Sequence, residues 1–331
     1  MNKSFLLFGA ILIVAFSQPM DDDLIVLSGG TVITMTGETI ENSVVKIRNG
    51  IIERVETIDP SAWDSSWIDV SGKIILPGFI LLHSGLGMLE KEELIAFHNI
   101  NPTSSDFRIL IDLGFTRCNI FSENIETQGT SLVATNFSED YLALISGYFG
   151  LIGSLEESQK SWLERFDSIS PLLTSKPYFV SSSKIGSKVL NSIDYPIVMI
   201  WEELNNNNFG ESSFLVSPFH DDERNGKWFP AIVNAAQKHR EKAFYFPSDV
   251  YQTAYSLRHM FIDIGFLIAN GLPQEEALRM LTIYPARILG VDDLFGSVEK
   301  GKVADLVIFG EHPFQTQSQP DLVIIEGKIV N

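Results

Sequence analysis

Histidine and carboxylate side chains that follow apolar runs are the residues of this chain best suited to metal chemistry. His220 comes after the apolar run 214–216 and stands directly before Asp221 and Asp222. Imidazole and carboxylate groups are typical zinc ligands, and a catalytic zinc needs three protein ligands and one open position. Four other histidines lie in helical segments or beside a proline, where solvated or packed imidazoles are the ordinary expectation: His98, His239, His259 and His312.

The middle of the chain alternates strand-like apolar runs with segments of helical spacing. The apolar runs are 79–82, 116–121, 178–181, 197–201, 214–217 and 244–246, and the helical segments include 90–98, 158–166, 231–239 and 255–269. Strand and helix in repetition predict a parallel sheet, either a closed barrel or a doubly wound sheet. A further helix is expected over 273–281, because Pro273 suits a first turn and acidic residues follow it.

Both ends of the chain predict short strands. Asn49-Gly50 lies between two β-rich runs, which is a strong signal for a tight hairpin. Gly29-Gly30 predicts another turn, between strands at 24–27 and 31–35. Short strands return after Tyr284-Pro285. Two β segments that flank one α/β unit suggest that the ends pair with each other in a second, small domain.

The charge balance limits the partners of this chain. Lys and Arg total 24 against 42 Asp and Glu, a formal charge of -18. Such a surface repels phosphate backbones and anionic lipid, so neither nucleic-acid binding nor binding to a membrane surface is expected.

The first residues predict export. Lys3, the apolar run 5–16 and the small residues Ala15 and Ser17 are typical of a signal peptide over residues 1–17, cleaved after Ser17. An uncleaved anchor is the alternative, but the run is shorter than the roughly 20 apolar residues of a membrane span. No stable membrane anchor is therefore expected. Cys118 is the single cysteine, which excludes an intrachain disulfide, and an exported chain without disulfides fits a bacterial periplasm.

Motifs at both ends resemble the amidohydrolase superfamily. Near the start, Val70-Ser71-Gly72-Lys73 leads into Leu76-Pro77-Gly78-Phe79-Ile80, and near the end Gly271 to Leu278 is followed by Ala304-Asp305-Leu306-Val307. In the middle, Gly114-Phe115-Thr116 and Gly129-Thr130-Ser131 are similar to the exported, imidazolonepropionase-like members.

The resemblance implies both a fold and a reaction. The expected fold is α/β, a distorted TIM-like (β/α)8 barrel over 77–290, with a small β-sandwich formed by 22–76 and 291–331. The central region is shorter than the about 250 residues of a typical barrel, so either its loops are trimmed or a βα unit is reduced. The implied reaction is hydrolysis of non-peptide C–N bonds, as in cyclic amides and N-acyl compounds, by water activated on one or two divalent metals, often zinc.

The same resemblance identifies candidate site residues. In the family's first strand, two histidines two residues apart bind one ion; here His83 keeps the first position and Gly85 occupies the second. Ser181 stands where the fifth strand should end in a histidine, and a hydroxyl is a poor zinc ligand. Asp249 matches the aspartate of the last strand, which makes it the candidate catalytic base and a metal ligand. The alternative role for Asp249 is to cap a helix that starts near Val250.

Two functions remain open on this basis. We favour a catalytically degenerate homologue without metal, retained as a binding or structural protein. The alternative is an active hydrolase with zinc or another divalent metal on His83, His220 and Asp249, acting on a small amide-type substrate. A homo-oligomer is also left open, because the apolar stretch 141–152 suits a contact between copies and a protein core equally well.

Overall fold

The computed structural model describes residues 23–57, 59, 61, 64–84, 86–87, 101, 104–120, 129–135, 144–154, 178–181, 197–199, 233–234, 237, 257–315 and 318–330. For His83 and for the strands between residues 129 and 199 it describes the path of the backbone. Within these ranges, none of the helices is long and apolar enough to cross a membrane.

Two sheets and four helices make up the described part of the chain. The strands are β1 (Leu24–Val32), β2 (Ile40–Arg48), β3 (Ile51–Thr57), β4 (Ile68–Asp69), β5 (Ile74–Pro77), β6 (Phe79–Ser84), β7 (Phe115–Ile120), β8 (Gly129–Thr135), β9 (Leu144–Ser154), β10 (Tyr178–Ser181), β11 (Ile197–Met199), β12 (Leu306–Phe309), β13 (Pro320–Ile325) and β14 (Lys328–Ile329). The helices are α1 (Ser105–Asp112), α2 (Leu257–Ala269), α3 (Gln274–Arg279) and α4 (Ile283–Leu289). The expected helix after Pro273 is thus confirmed as α3.

Strands from both ends of the chain meet in one sheet of eight strands. Its order is β14-β13-β12-β5-β1-β2-β3, with β4 beside β1. The central strand β5 pairs parallel with β1 on one side and antiparallel with β12 on the other. The two ends therefore share hydrogen-bonded strands, while the second layer that a sandwich requires stays a prediction.

The two turns expected near the amino end have different outcomes. Asn49 and Gly50 both have positive φ, 51° and 80°, between β2 and β3, so the hairpin is confirmed. The prediction of a turn at Gly29-Gly30 is wrong, because β1 continues through both glycines and pairs irregularly with β2.

Close packing explains why the chain does not turn at these glycines. A Cβ at Gly30 would lie 3.0 Å from Cδ1 of Ile75 in β5, so the glycine lets the neighbouring strand approach. On the other side, the Ser43 hydroxyl donates to the carbonyl of Gly30 over 2.8 Å. Pairing on both sides holds this segment as a bulged strand.

The second sheet has six described strands in the order β11-β10-β9-β8-β7-β6. The strand pairs β6–β7, β9–β10 and β10–β11 are parallel, as predicted for the middle of the chain. The sheet is not parallel throughout as predicted, because β8, where no strand was predicted, runs antiparallel to β7 and β9. The connections at 121–128 and 136–143 are shorter than the dozen or more residues of a parallel crossover, so the chain must reverse there. Among the described strands this sheet is open, and a closed barrel stays a prediction.

The first strand of this sheet, β6, is held from several directions. The Phe79 ring lies 5.9 Å from the ring of Phe115 in β7, 6.0 Å from that of Phe309 in β12 and 5.9 Å from that of Phe261 in α2. The backbone N–H of Ile80 donates to the carbonyl of Leu281 over 2.7 Å. These contacts connect β6 to both sheets and to the C-terminal helices, and they fix the strand that carries His83.

Candidate functional site

His83 is the penultimate residue of β6, and a buried turn follows it closely. The Ser84 hydroxyl accepts a hydrogen bond from the backbone N–H of Leu86 over 3.0 Å, and Leu86 is itself buried. Gly87 has a positive φ of 75°, and a Cβ there would lie 2.5 Å from Cζ of Phe107 in α1. Residues 86–87 therefore pack against an apolar core.

Asn119 is a residue near the candidate site that was not predicted. It is fully buried in β7, and its side-chain Nδ2 donates to the carbonyl of Leu82 over 2.9 Å. That carbonyl belongs to the residue directly before His83, so Asn119 positions the end of β6. The sequence offered one signal for this role, which is that Asn119 is an amide residue within the otherwise strand-like run 115–120.

Several strand ends meet at one edge of the six-stranded sheet. Because β6, β7, β9, β10 and β11 run in the same direction, His83, Asn119 and Ser181 all lie towards their common carboxyl edge. Active sites of barrel enzymes form at this edge. However, β6 and β10 are four strand steps apart, about 19 Å along the sheet at about 4.8 Å per step. The described strands thus bring the backbones of His83 and Ser181 to the same edge of the sheet.

The described residues do not by themselves form a metal centre. No group of three or more His, Cys, Asp and Glu residues within the described ranges has the geometry to hold a metal ion. At the edge beside His83, the Ser84 hydroxyl already accepts from Leu86 and the Asn119 amide already holds a carbonyl. A hydroxyl and an amide with no described imidazole or carboxylate beside them do not fit a divalent metal, so we assign no metal-dependent step to these two side chains. His220, Asp249 and Gly85 lie outside the described residues, and the set of His83, His220 and Asp249 stays a prediction.

Two buried groups with raised pKa values are unsuited to act as nucleophiles. Burial raises the pKa of the Cys118 thiol in β7 to about 12, so the thiol stays protonated near neutral pH. Burial also raises the pKa of Tyr284, as does its hydrogen bond to Glu276, whose Oε1 accepts from the phenol over 2.8 Å. Both groups serve packing and hydrogen bonding in the core.

Comparison with known sequences places part of this chain beside the amidohydrolases. Residues 237–330 match the amidohydrolase family. A segment of 38 residues is 58% identical to the N-acetylglucosamine-6-phosphate deacetylase of Haemophilus influenzae. That segment covers 12% of this chain and only 10% of the deacetylase, so the likeness is local.

Solved structures resemble the chain over nearly its whole length. An amidohydrolase from Thermotoga maritima has a TM-score of 0.69 and 19% identity, covering 93% of this chain and 99% of that one. The N-acetylglucosamine-6-phosphate deacetylase of Pasteurella multocida has a TM-score of 0.57 and 12% identity, with 93% and 99% covered. An adenosine deaminase from Xanthomonas campestris with bound zinc has a TM-score of 0.51 and 16% identity, with 92% of each chain covered. At identities this low, the likeness shows a shared mixed α/β fold of the type found in amidohydrolases. It does not show a shared activity.

Proposed function

We propose that this chain is an amidohydrolase-family protein with a reduced metal centre, which no longer catalyses the family's hydrolysis of non-peptide C–N bonds and serves instead in binding. The observation that carries the proposal is the end of β6. His83 is kept there, but Gly85 offers no ligand at the second position. The turn that follows uses its polar group, the Ser84 hydroxyl, to bind its own backbone.

Two observations support extending the family assignment to the whole chain. The family match at 237–330 covers the tail, and the likeness to the Thermotoga maritima amidohydrolase covers 93% of the chain. Membership in the imidazolonepropionase-like subgroup rests on the sequence motifs Gly114-Phe115-Thr116 and Gly129-Thr130-Ser131.

The alternative is an active hydrolase with one divalent metal on His83, His220 and Asp249. One observation favours it: Asp249, the candidate catalytic base, lies inside the segment that matches the family. Because the local sequence relative is an N-acetylglucosamine-6-phosphate deacetylase, N-acyl sugars would be the first substrates to test, followed by cyclic amides.

Metal content distinguishes the two functions. The protein is purified without chelators, incubated with zinc, desalted and analysed for bound metal beside His83→Ala and Asp249→Ala. His259→Ala is a matched control, because His259 is an exposed histidine on α2. We expect substoichiometric zinc in all four samples. Near-stoichiometric zinc that is lost in His83→Ala and Asp249→Ala but kept in His259→Ala would refute the reduced centre and support the hydrolase.

We also propose that the mature protein is exported to a bacterial periplasm without residues 1–17. The support is the signal-like pattern of Lys3, the apolar run 5–16 and Ser17. Sequencing the amino terminus of the protein from a periplasmic fraction tests this, and a chain that still begins at Met1 in the cytoplasmic fraction would contradict it.

A further inference from the structure

An apolar groove runs along α2, between this helix and residues 313–315 and 318–319. Its volume is about 450 Å³, within the roughly 300–1,000 Å³ of small-molecule sites. The helix contributes one face to it, through residues spaced three or four apart: Arg258, Phe261, Ile262, Gly265, Phe266 and Ala269. Such spacing places these residues side by side along the groove.

The groove exposes large apolar side chains to solvent. Ile262 and Phe266, one helical turn apart, are 53% and 52% exposed. Deeper in the groove, the rings of Phe261 and Phe314 have their centroids 6.3 Å apart. Adjacent exposed apolar side chains beside a concave surface are characteristic of binding sites.

The groove is remote from the candidate catalytic edge. Phe261 contacts Phe79 at the amino end of β6, whereas His83 lies near the carboxyl end. Four residues of strand separate the two positions, about 13 Å at about 3.3 Å per residue. A ligand in the groove would therefore occupy a different site from a substrate at His83.

Gly265 keeps the middle of the groove open. It lies inside α2, where glycine is a poor helix former compared with alanine. The nearest described atom to a Cβ built at this position is the Phe314 carbonyl oxygen, at 3.9 Å, which is ordinary contact. Packing among the described residues therefore does not demand a glycine here. Its missing side chain leaves space that a ligand can fill.

Arg258 determines the charge that this groove would accept. Among the described residues that line the groove, Arg258 is the one that carries a charge. In a chain with a formal charge of -18, a cation beside an apolar groove is a specific feature. A guanidinium has five N–H donors, so it can bind a carboxylate in addition to another partner.

We propose that the groove binds a small amphipathic carboxylate, with the hydrocarbon chain over Gly265 and the carboxylate at Arg258. The volume suits a molecule of this size. A protein partner fits less well, since a standard interface buries about 800 Å² per side and two exposed side chains on α2 provide little of that area. This inference is independent of the reduced metal centre, because no residue of the groove belongs to the candidate site.

Binding of decanoate to the full chain, measured by calorimetry, tests the proposal. Decanol and decylammonium are the matched probes without negative charge. We expect decanoate to bind at least tenfold more tightly than either. Arg258→Gln should remove that preference, while Arg287→Gln, at an exposed arginine on α4, should leave it unchanged.

Filling the groove provides the second test. Gly265→Leu should abolish decanoate binding, and Gly265→Ala should raise the unfolding midpoint because alanine favours the helix. Equal binding of all three probes, or undiminished binding in a folded Gly265→Leu variant, would overturn the proposal. Light scattering tests whether a second copy of the chain occupies the groove instead. A dimer that Phe266→Glu converts to monomers would show that it does, and would also overturn the proposal.

Discussion

A buried ion pair connects β7 to the residue before β12, and the stability of this fold should depend strongly on it. Arg117 in β7 forms a two-pronged bond with Asp305, from Nε to Oδ2 at 2.5 Å and from Nη2 to Oδ1 at 2.9 Å. The two side chains are 1% and 5% exposed. The guanidinium also lies 4.2 Å from the ring centre of Phe295. Asp305 accepts a further hydrogen bond from the backbone N–H of Glu326 over 2.8 Å.

Replacing Arg117 by methionine should destabilise the protein by about 3–5 kcal/mol. Removing one partner leaves a buried charge uncompensated, which costs about that much in comparable pairs. The loss is a large part of the 5–15 kcal/mol by which domains are typically stable. The double variant Arg117→Met with Asp305→Leu should recover most of it, because apolar residues of similar volume replace a buried ion pair at little or no cost.

Urea denaturation followed by circular dichroism measures these changes as free energies of unfolding. Glu326→Gln is the matched control, because Glu326 is 49% exposed and its ion pair with Arg117 is longer, at 3.3 Å. That variant should lose no more than about 1 kcal/mol. A loss of less than about 1 kcal/mol of unfolding free energy in Arg117→Met would refute the reasoning, since removing one partner of a buried ion pair should cost more than this. If the double variant is as unstable as the single one, disturbed packing around residue 117, and not the unpaired Asp305 carboxylate, causes the loss of stability.

Two further predictions concern the region around β6 and β7. Gly87→Ala should cost more than Gly72→Ala in urea denaturation. Both glycines have positive φ, so both substitutions strain the backbone. A Cβ at residue 87 would also lie 2.5 Å from Phe107, whereas a Cβ at residue 72 meets no described atom within 4 Å. Equal losses of unfolding free energy in the two variants, near about 1 kcal/mol, would contradict the clash at residue 87. Cys118 should resist iodoacetamide at pH 8 in the native protein and react in urea, as followed by mass spectrometry. Rapid labelling of the native protein would show that the thiol is accessible. Because folding raises the pKa of Cys118 from 9.0 to about 12, the free energy of unfolding should also fall as the pH rises from 9 towards 12.

Local chemistry in the sequence was sufficient to predict many of the elements and the family resemblance. Asn49-Gly50 forms the expected hairpin because both residues tolerate positive φ, which depends on them alone. The helix after Pro273 begins where proline and acidic residues favour a first turn. The tail motifs agree with the family match at 237–330. The position of Gly85, two residues after His83, is likewise read from the sequence alone.

The tertiary structure decided the features that depend on distant partners. Gly29-Gly30 does not turn, because Ile75 of β5 and Ser43 of β2 hold β1 from both sides. The direction of β8 follows from short connections between strands, which the apolar runs did not reveal. Arg117 and Asp305 are 188 residues apart in the chain, and nothing in the local pattern around either residue identifies the other. Such pairs form only when the whole chain folds, since burial and long-range contacts, and not local propensity, select them.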